Sequence, residues 1–287
     1  ELFETFPLQA MKQALRSLPP ALSYSNIGPE LRARLDSLQS RLGAHRTAQY
    51  LKLTLASLIQ DALPILAAKA YPDSVGGLFN EWFTDVLSEF DSQPDSYYDH
   101  RNDGFLKDLA VCSLRMTPVG GAWAVEICSI GRRFLVAGGP RQLMRGLWLL
   151  LVRTHGIEPF YLIHTVARYH KRFNPEARDR CYLRVADMLR MNPRVRGFSQ
   201  HSWYYDPALE GISPHLSAYR RRLVDNGGYA FRLGTSADDI HNATLKSKTR
   251  RALYESGSYV PTSYLVVWPR RALLAWAARQ DDRAEEL

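Results

Sequence analysis

Cysteine is scarce in this chain. Cys112, Cys128 and Cys181 stand far apart, odd in number and outside any CxxC pair. That excludes a disulfide framework and points to a reducing compartment, so a cytoplasmic location is the expectation. Long apolar runs are missing as well. Runs such as Leu147–Val152 fall far short of the roughly 20 residues that span a bilayer. Leu51–Ala70 is interrupted by Lys52, Gln60, Asp61 and Lys69 and is expected to be a helix buried in protein. The opening ELFETFPLQA lacks the basic start and apolar stretch of a signal peptide. There is no GxSxG elbow, no P-loop and no GxGxxG fingerprint. The eight histidines follow no standard ligand spacing, so no metal is expected. Asp99, His100 and Asp103 sit in a polar, turn-rich stretch, Asp91–Asp103, that reads as a solvated linker rather than a ligand set.

What is present is a chain with a real core and an uneven charge. The hydrophobic fraction is 46%, too high for disorder. Residues 130–222 carry 17 basic and 6 acidic side chains, net +11, whereas residues 1–129 carry 11 and 15. A field of that sign favours an anionic partner. Residues 1–95 read as a helical region. Leu8–Leu18 is amphipathic, Leu31, Leu35, Leu38 and Leu42 repeat at helical spacing before Gly43, Arg46–Tyr71 is a longer helix, and Leu78–Phe90 carries a broad aromatic stripe. Residues 96–235 read as an α/β core, and 236–287 as a basic segment or flap around Lys246, Lys248, Arg250 and Arg251, then a strand and a helix. The fold class expected is α/β, with a mixed central sheet, flanking helices and a helical N-terminal region.

The core region suggests a site. Ala122–Cys128 alternates as a half-buried strand and is expected to form a hairpin with a strand at Arg132–Ala137. Gly138-Gly139-Pro140 then opens a helix over Arg141–His155, with Leu143, Leu147, Leu150, Leu151 and Trp148 facing the core. Gly138 and Gly139, with Arg141 and Arg145 one turn apart, could hold a phosphate at the helix N-terminus, or could form a plain turn. The strand Pro159–Thr165 ends in His164 and Thr165, where α/β proteins place chemistry. His164 reads either as a catalytic or substrate-orienting group or as a structural histidine. The helix Pro175–Met191 buries Cys181 as a packed thiol. The strand Val195–Asp206 carries His201, Trp203 and Tyr205 on one face and Tyr204 and Asp206 on the other, a polar surface suited to a substrate cleft.

From Ala122 to Tyr205, the order hairpin, strand, Gly-containing loop, helix, strand, helix, strand resembles the GNAT acyltransferase superfamily, whose usual loop pattern Gln/Arg-x-x-Gly-x-Gly/Ala is absent here. The resemblance implies acyl transfer from a phosphopantetheine thioester, either acyl-CoA or an acyl carrier protein, to an amine-bearing small molecule, with no tightly bound cofactor. It places Gly138, Gly139, Arg141 and Arg145 on the pyrophosphate and the main-chain N–H groups of Tyr161–Thr165 on the thioester carbonyl. In such a site His164 or Asp206 takes the proton of the acceptor, Tyr204 or Tyr205 protonates the leaving thiolate, and Thr165, His201 and Trp203 line the substrate. The basic surface suits an acidic carrier protein. Two segments, SWYYDPALEGISPHL and SYLVVWPRRALLAW, are also similar to bacterial proteins of unassigned function, which implies no activity. The rival expectation is a non-catalytic binder of nucleic acid or anionic lipid, carried by the net charge and by Tyr169 between Arg168 and Arg172.

Overall fold

The structure, a computed structural model, describes residues 7–19 and 22–285. Two units account for it, Glu1–Cys128 with His164–Arg184, and Ser129–Ile163 with Val185–Leu287.

In the first unit, α1 (Leu8–Arg16) buries Met11 and Leu15 and sets Lys12 2.8 Å from Asp61 of α2 (Pro29–Ala68). Of the leucines expected as a stripe, Leu31, Leu35 and Leu38 are buried and Leu42 is half-buried. Gly43, at φ 74° and ψ 170°, is non-helical and divides α2 into two helical stretches, so the first ends where the sequence places a glycine. That conformation is cheap only for glycine. Beyond the kink, Tyr50, Leu51, Leu55, Leu58 and Ala62 form a second buried stripe, and the helix runs through Pro64 to Ala68. By length and composition α2 could cross a bilayer, and no other described helix could. Its Asp61 pairs with Lys12 and with Arg16, which is how a helix behaves inside a packed bundle. α3 (Asp73–Ser88) buries Phe79, Trp82 and Phe83, and α4 (Asp103–Cys112) starts from an Asn102 side chain that accepts from the Phe105 N–H at 3.1 Å.

The hairpin is not the one expected. β1 (Thr117–Gly120) pairs antiparallel with β2 (Trp123–Cys128) through the Gly120-Gly121 turn, while Arg132–Leu135 is a 3₁₀ turn and no strand. Phe134 explains the difference, because that turn drives its ring into the core against Phe231, 4.7 Å between centroids.

The second unit is a mixed sheet with helices against it. β3 (Phe160–Thr165), whose last two residues fall in the first unit, runs parallel to β4 (Gly197–Ser202) over Tyr161↔Phe198 and Leu162↔Ser199. β4 pairs antiparallel with β6 (Ser263–Pro269), and β6 with β5 (Tyr229–Gly234). Ile130, Phe134, Leu149, Phe160, Phe231, Leu265 and Val267 make the core under the sheet. α5 (Gly139–Trp148) continues as a π-helical turn over Leu149–Arg153, and α6 (Pro175–Met191) spans the division between the units. The α/β class, the mixed sheet and the helical N-terminal region are therefore as the sequence implies.

Gly197 locks the β4–β6 pair. Its φ is 150°, and a Cβ there would overlap the Trp268 carbonyl oxygen and stand 2.9 Å from the Arg270 nitrogen. Gly197→Ala is expected to cost about 2–3 kcal/mol, from strained backbone and forced strand separation. A urea midpoint within error of the parent would refute this.

Candidate functional site

Glu126 is the residue the sequence pattern hides. The alternation of β2 makes it a candidate for the solvent side, yet Trp123, Ala124, Val125 and Glu126 are all buried and Ile127 is exposed. The Glu126 side chain is 4% exposed. A buried carboxylate needs donors, and Glu126 has three. The Tyr24 backbone N–H donates to Oε2 at 2.6 Å, the Ser23 hydroxyl to Oε1 at 3.1 Å, and His164 Nε2 lies 2.9 Å from Oε1. Arg115 braces the same corner by donating to the carbonyls of Leu22 and Ser23 at 3.0 and 3.1 Å.

A carboxylate can only accept, so His164 Nε2 carries the hydrogen and Nδ1 is left as the basic nitrogen. The His164 side chain is 14% exposed, sheltered but reachable. The edge of the Tyr24 ring meets its imidazole at 4.6 Å between centroids. The Tyr24 hydroxyl in turn donates to Asp103 Oδ1 at 2.5 Å, and burial pushes its pKa well up. Lys107, one turn further along α4, holds Asp103 Oδ2 at 2.5 Å and donates to the Thr165 carbonyl at 2.9 Å. Burial pushes the Asp103 carboxyl up, but Lys107, Tyr24 and His164 together outweigh it and the net direction is down. The result is a fixed imidazole, backed by a carboxylate, at the end of a strand. Such an arrangement can take a proton from a nucleophile and later return it.

A second network lies further along α4. Asp108 accepts from Trp82 Nε1 at 3.1 Å, from the Tyr97 hydroxyl at 2.6 Å and from the Arg168 guanidinium, which also sits 3.3 Å from Glu89. Burial pushes the Asp108 carboxyl up against the pull of Arg168 and the two neutral donors. Arg168 faces the Trp82 and Tyr169 rings at 6.0 and 5.8 Å, so Arg168 and Tyr169 are structural members of the first unit here.

The other expected residues fall in the second unit. Asp206 accepts from the backbone N–H groups of Ala208 and Thr262 at 3.0 and 3.2 Å, and burial raises its pKa. It clamps the chain after β4. The Tyr205 hydroxyl donates to Gln200 Oε1 at 2.6 Å, and Tyr204 packs on the rings of Trp203, Tyr205 and Tyr219. His201 is exposed, and Trp203 lies under the Arg250 guanidinium at 4.9 Å. Arg250, expected on a basic surface segment or flap, is buried and donates to the Ala243 carbonyl at 2.6 Å and the Ser213 hydroxyl at 2.9 Å.

Gly138 caps α5, and the Gln142 side chain fills the space beside it, tying the Phe134 and Arg232 carbonyls at 2.5 and 2.8 Å. Arg141 and Arg145 are exposed, Arg145 over the Phe231 ring at 5.9 Å. Among the described residues no group of three or more His, Cys, Asp or Glu could hold a metal. Burial pushes the Cys181 thiol up to about 11 and the Cys128 thiol up to about 12, so neither is an activated nucleophile. Tyr24, Asp103, Lys107 and Glu126 were not foreseen. The signal for Glu126 was a lone charge inside the apolar segment Trp123–Cys128.

No protein-family model and no curated protein sequence matches the chain. Solved structures do match its fold. One is an acyltransferase in complex with decanoyl-CoA and teicoplanin, 14% identical, TM-score 0.51, covering 93% of this chain and 77% of its own. A second is an acyltransferase with CoA and 10C-teicoplanin, 13% identical, TM-score 0.51, with the same coverage. A third is a mutant acyltransferase with octanoyl-CoA, 13% identical, TM-score 0.50, covering 91% and 77%. At this identity the likeness is one of fold.

Proposed function

We propose that the chain transfers an acyl group from acyl-CoA to an amine-bearing small molecule, with His164 as the proton acceptor. The observation that carries this is the His164–Glu126 pair, a partly open imidazole fixed by a buried carboxylate, in a fold similar to acyltransferases solved with acyl-CoA. The amine adds to the thioester carbonyl, forming the C–N bond. His164 Nδ1 takes the ammonium proton, the C–S bond breaks, and the imidazolium returns the proton to the CoA thiolate, giving amide and free thiol. Glu126 stabilises the imidazolium while it exists. Main-chain N–H groups of β3 are the donors assigned to the developing oxyanion. An acyl carrier protein presents the same thioester and is the second donor to try.

Thiol release from acetyl-, octanoyl- and decanoyl-CoA, measured across a panel of amines, tests the reading. CoA alone should also raise the melting temperature, since binding only the native state stabilises it by mass action. Neither thiol release nor a thermal shift, with CoA esters and acyl carrier protein alike, would remove acyl transfer from consideration.

A further inference from the structure

From Ile127 to Ile157 the chain holds five arginines, Arg132, Arg133, Arg141, Arg145 and Arg153, and no aspartate or glutamate. Within that span, the residues of α5 and its π turn expected to meet the core face outward, Leu150 excepted. Leu143, Met144, Leu147, Trp148, Leu151 and Val152 are all exposed, Trp148 at 54%, Met144 at 66% and Leu151 at 69%. They recur four residues apart in two adjacent rows, one continuous stripe along about 15 Å of helix. Gly146, Leu149 and Leu150 take the opposite side, and Leu149 and Leu150 join the core around Phe134 and Phe160. The helix is thus apolar on both sides with arginines between. Leaving such a stripe in water is costly, and stripes of this kind mark docking surfaces.

We propose that this face docks peripherally on an anionic lipid bilayer, with α5 lying in the plane of the interface. Two observations select lipid as the occupant. Along the segment that carries the stripe, residues 127–157, the charge is of one sign only, complementary to anionic headgroups. The stripe itself contains no Ser, Thr, Asn or Gln side chain, and the Trp148 indole N–H is its single strong donor, so it gives a partner protein little to match, and acyl chains require none. Trp148 is of the residue type that settles at the headgroup boundary. The arginines occupy positions from which they reach phosphates while the leucines enter the acyl region.

Co-sedimentation of the full chain with large unilamellar vesicles tests this. Binding to phosphatidylcholine doped with phosphatidylglycerol should exceed binding to pure phosphatidylcholine by about tenfold or more, and should weaken as salt rises. Leu147→Glu combined with Leu151→Glu should abolish it with an unchanged circular dichroism spectrum, because both side chains are exposed. Arg141→Gln combined with Arg145→Gln should weaken it by roughly fivefold per arginine. Equal affinity for neutral and anionic vesicles, or binding to neither, overturns the proposal. So does a dimer, or a complex with an acidic carrier protein, that the glutamate variant dissolves while lipid binding stays absent.

Discussion

His164→Ala is expected to lower kcat for acyl transfer by about 10²–10⁴-fold, the usual contribution of a positioned general base, and to leave KM for the donor nearly unchanged. Among the described residues the imidazole makes its hydrogen bond to Glu126 and its ring contact with Tyr24, so turnover should fall far more than stability. Glu126→Gln separates positioning from packing. Tyr24 N–H still requires an oxygen at its 2.6 Å contact, so the new amide nitrogen turns to His164 and donates to Nε2. That forces the hydrogen onto Nδ1 and blocks the nitrogen that should receive the proton. A loss of about 10²-fold or more in kcat is expected, by the same tautomer logic as in the serine-protease triad. A purely structural glutamate would instead change melting temperature and leave the ratio of kcat to KM unmoved. A His164→Ala enzyme that turns over like the parent would rule out this assignment.

Arg168→Leu is expected to be the most destabilising substitution at a single charged site. The side chains of Arg168 and Asp108 are 11% and 2% exposed. Removing one partner of a buried pair leaves the other charge without compensation, which costs about 3–5 kcal/mol. For a chain of this size that is a melting temperature lower by roughly 10 °C. The Asp108 carboxyl already titrates above its ordinary value because of burial. A carboxyl raised in the folded state contributes stability below its unfolded pKa and loses it as pH rises through the folded one. The deficit of Arg168→Leu should therefore shrink on acidification, as protonation removes the buried charge. Adding Asp108→Asn should recover much of the loss, because Trp82 Nε1–H can still donate to the amide oxygen while the Tyr97 hydroxyl accepts from the amide nitrogen, and a double-mutant cycle measures the coupling. A cost under about 1 kcal/mol for Arg168→Leu would mean that water, not Arg168, satisfies Asp108.

Periodicity and caps made most of the first unit legible. Leu31, Leu35 and Leu38 and the Trp123–Cys128 strand stand where the pattern puts them, whereas the Asn102 cap falls in a stretch read as a linker. Two local signals misled. Arg132–Ala137 has strand-forming residues, but only a tight turn buries Phe134 while Gln142 ties its carbonyl. The leucines after Pro140 recur at helical spacing, and spacing alone cannot say which side of a helix meets the core. Of the site, His164 was visible from its place at a strand end. Its partners were not, because Tyr24 and Glu126 are separated by about a hundred residues and meet through a backbone N–H that any residue type could supply.

Residues 22–24 are not an appendage to the first unit. Ser23 and Tyr24 provide two of the three donors on Glu126, and Tyr24 also braces His164 and Asp103. Seating this segment and aligning the imidazole are therefore one equilibrium. If His164 is the proton acceptor proposed above, a protease cut near Asn26, or a binding partner that lifts the segment away, is expected to silence the imidazole without touching it. In that sense the chain carries its own interlock, with the seating of residues 22–24 setting the alignment of the imidazole.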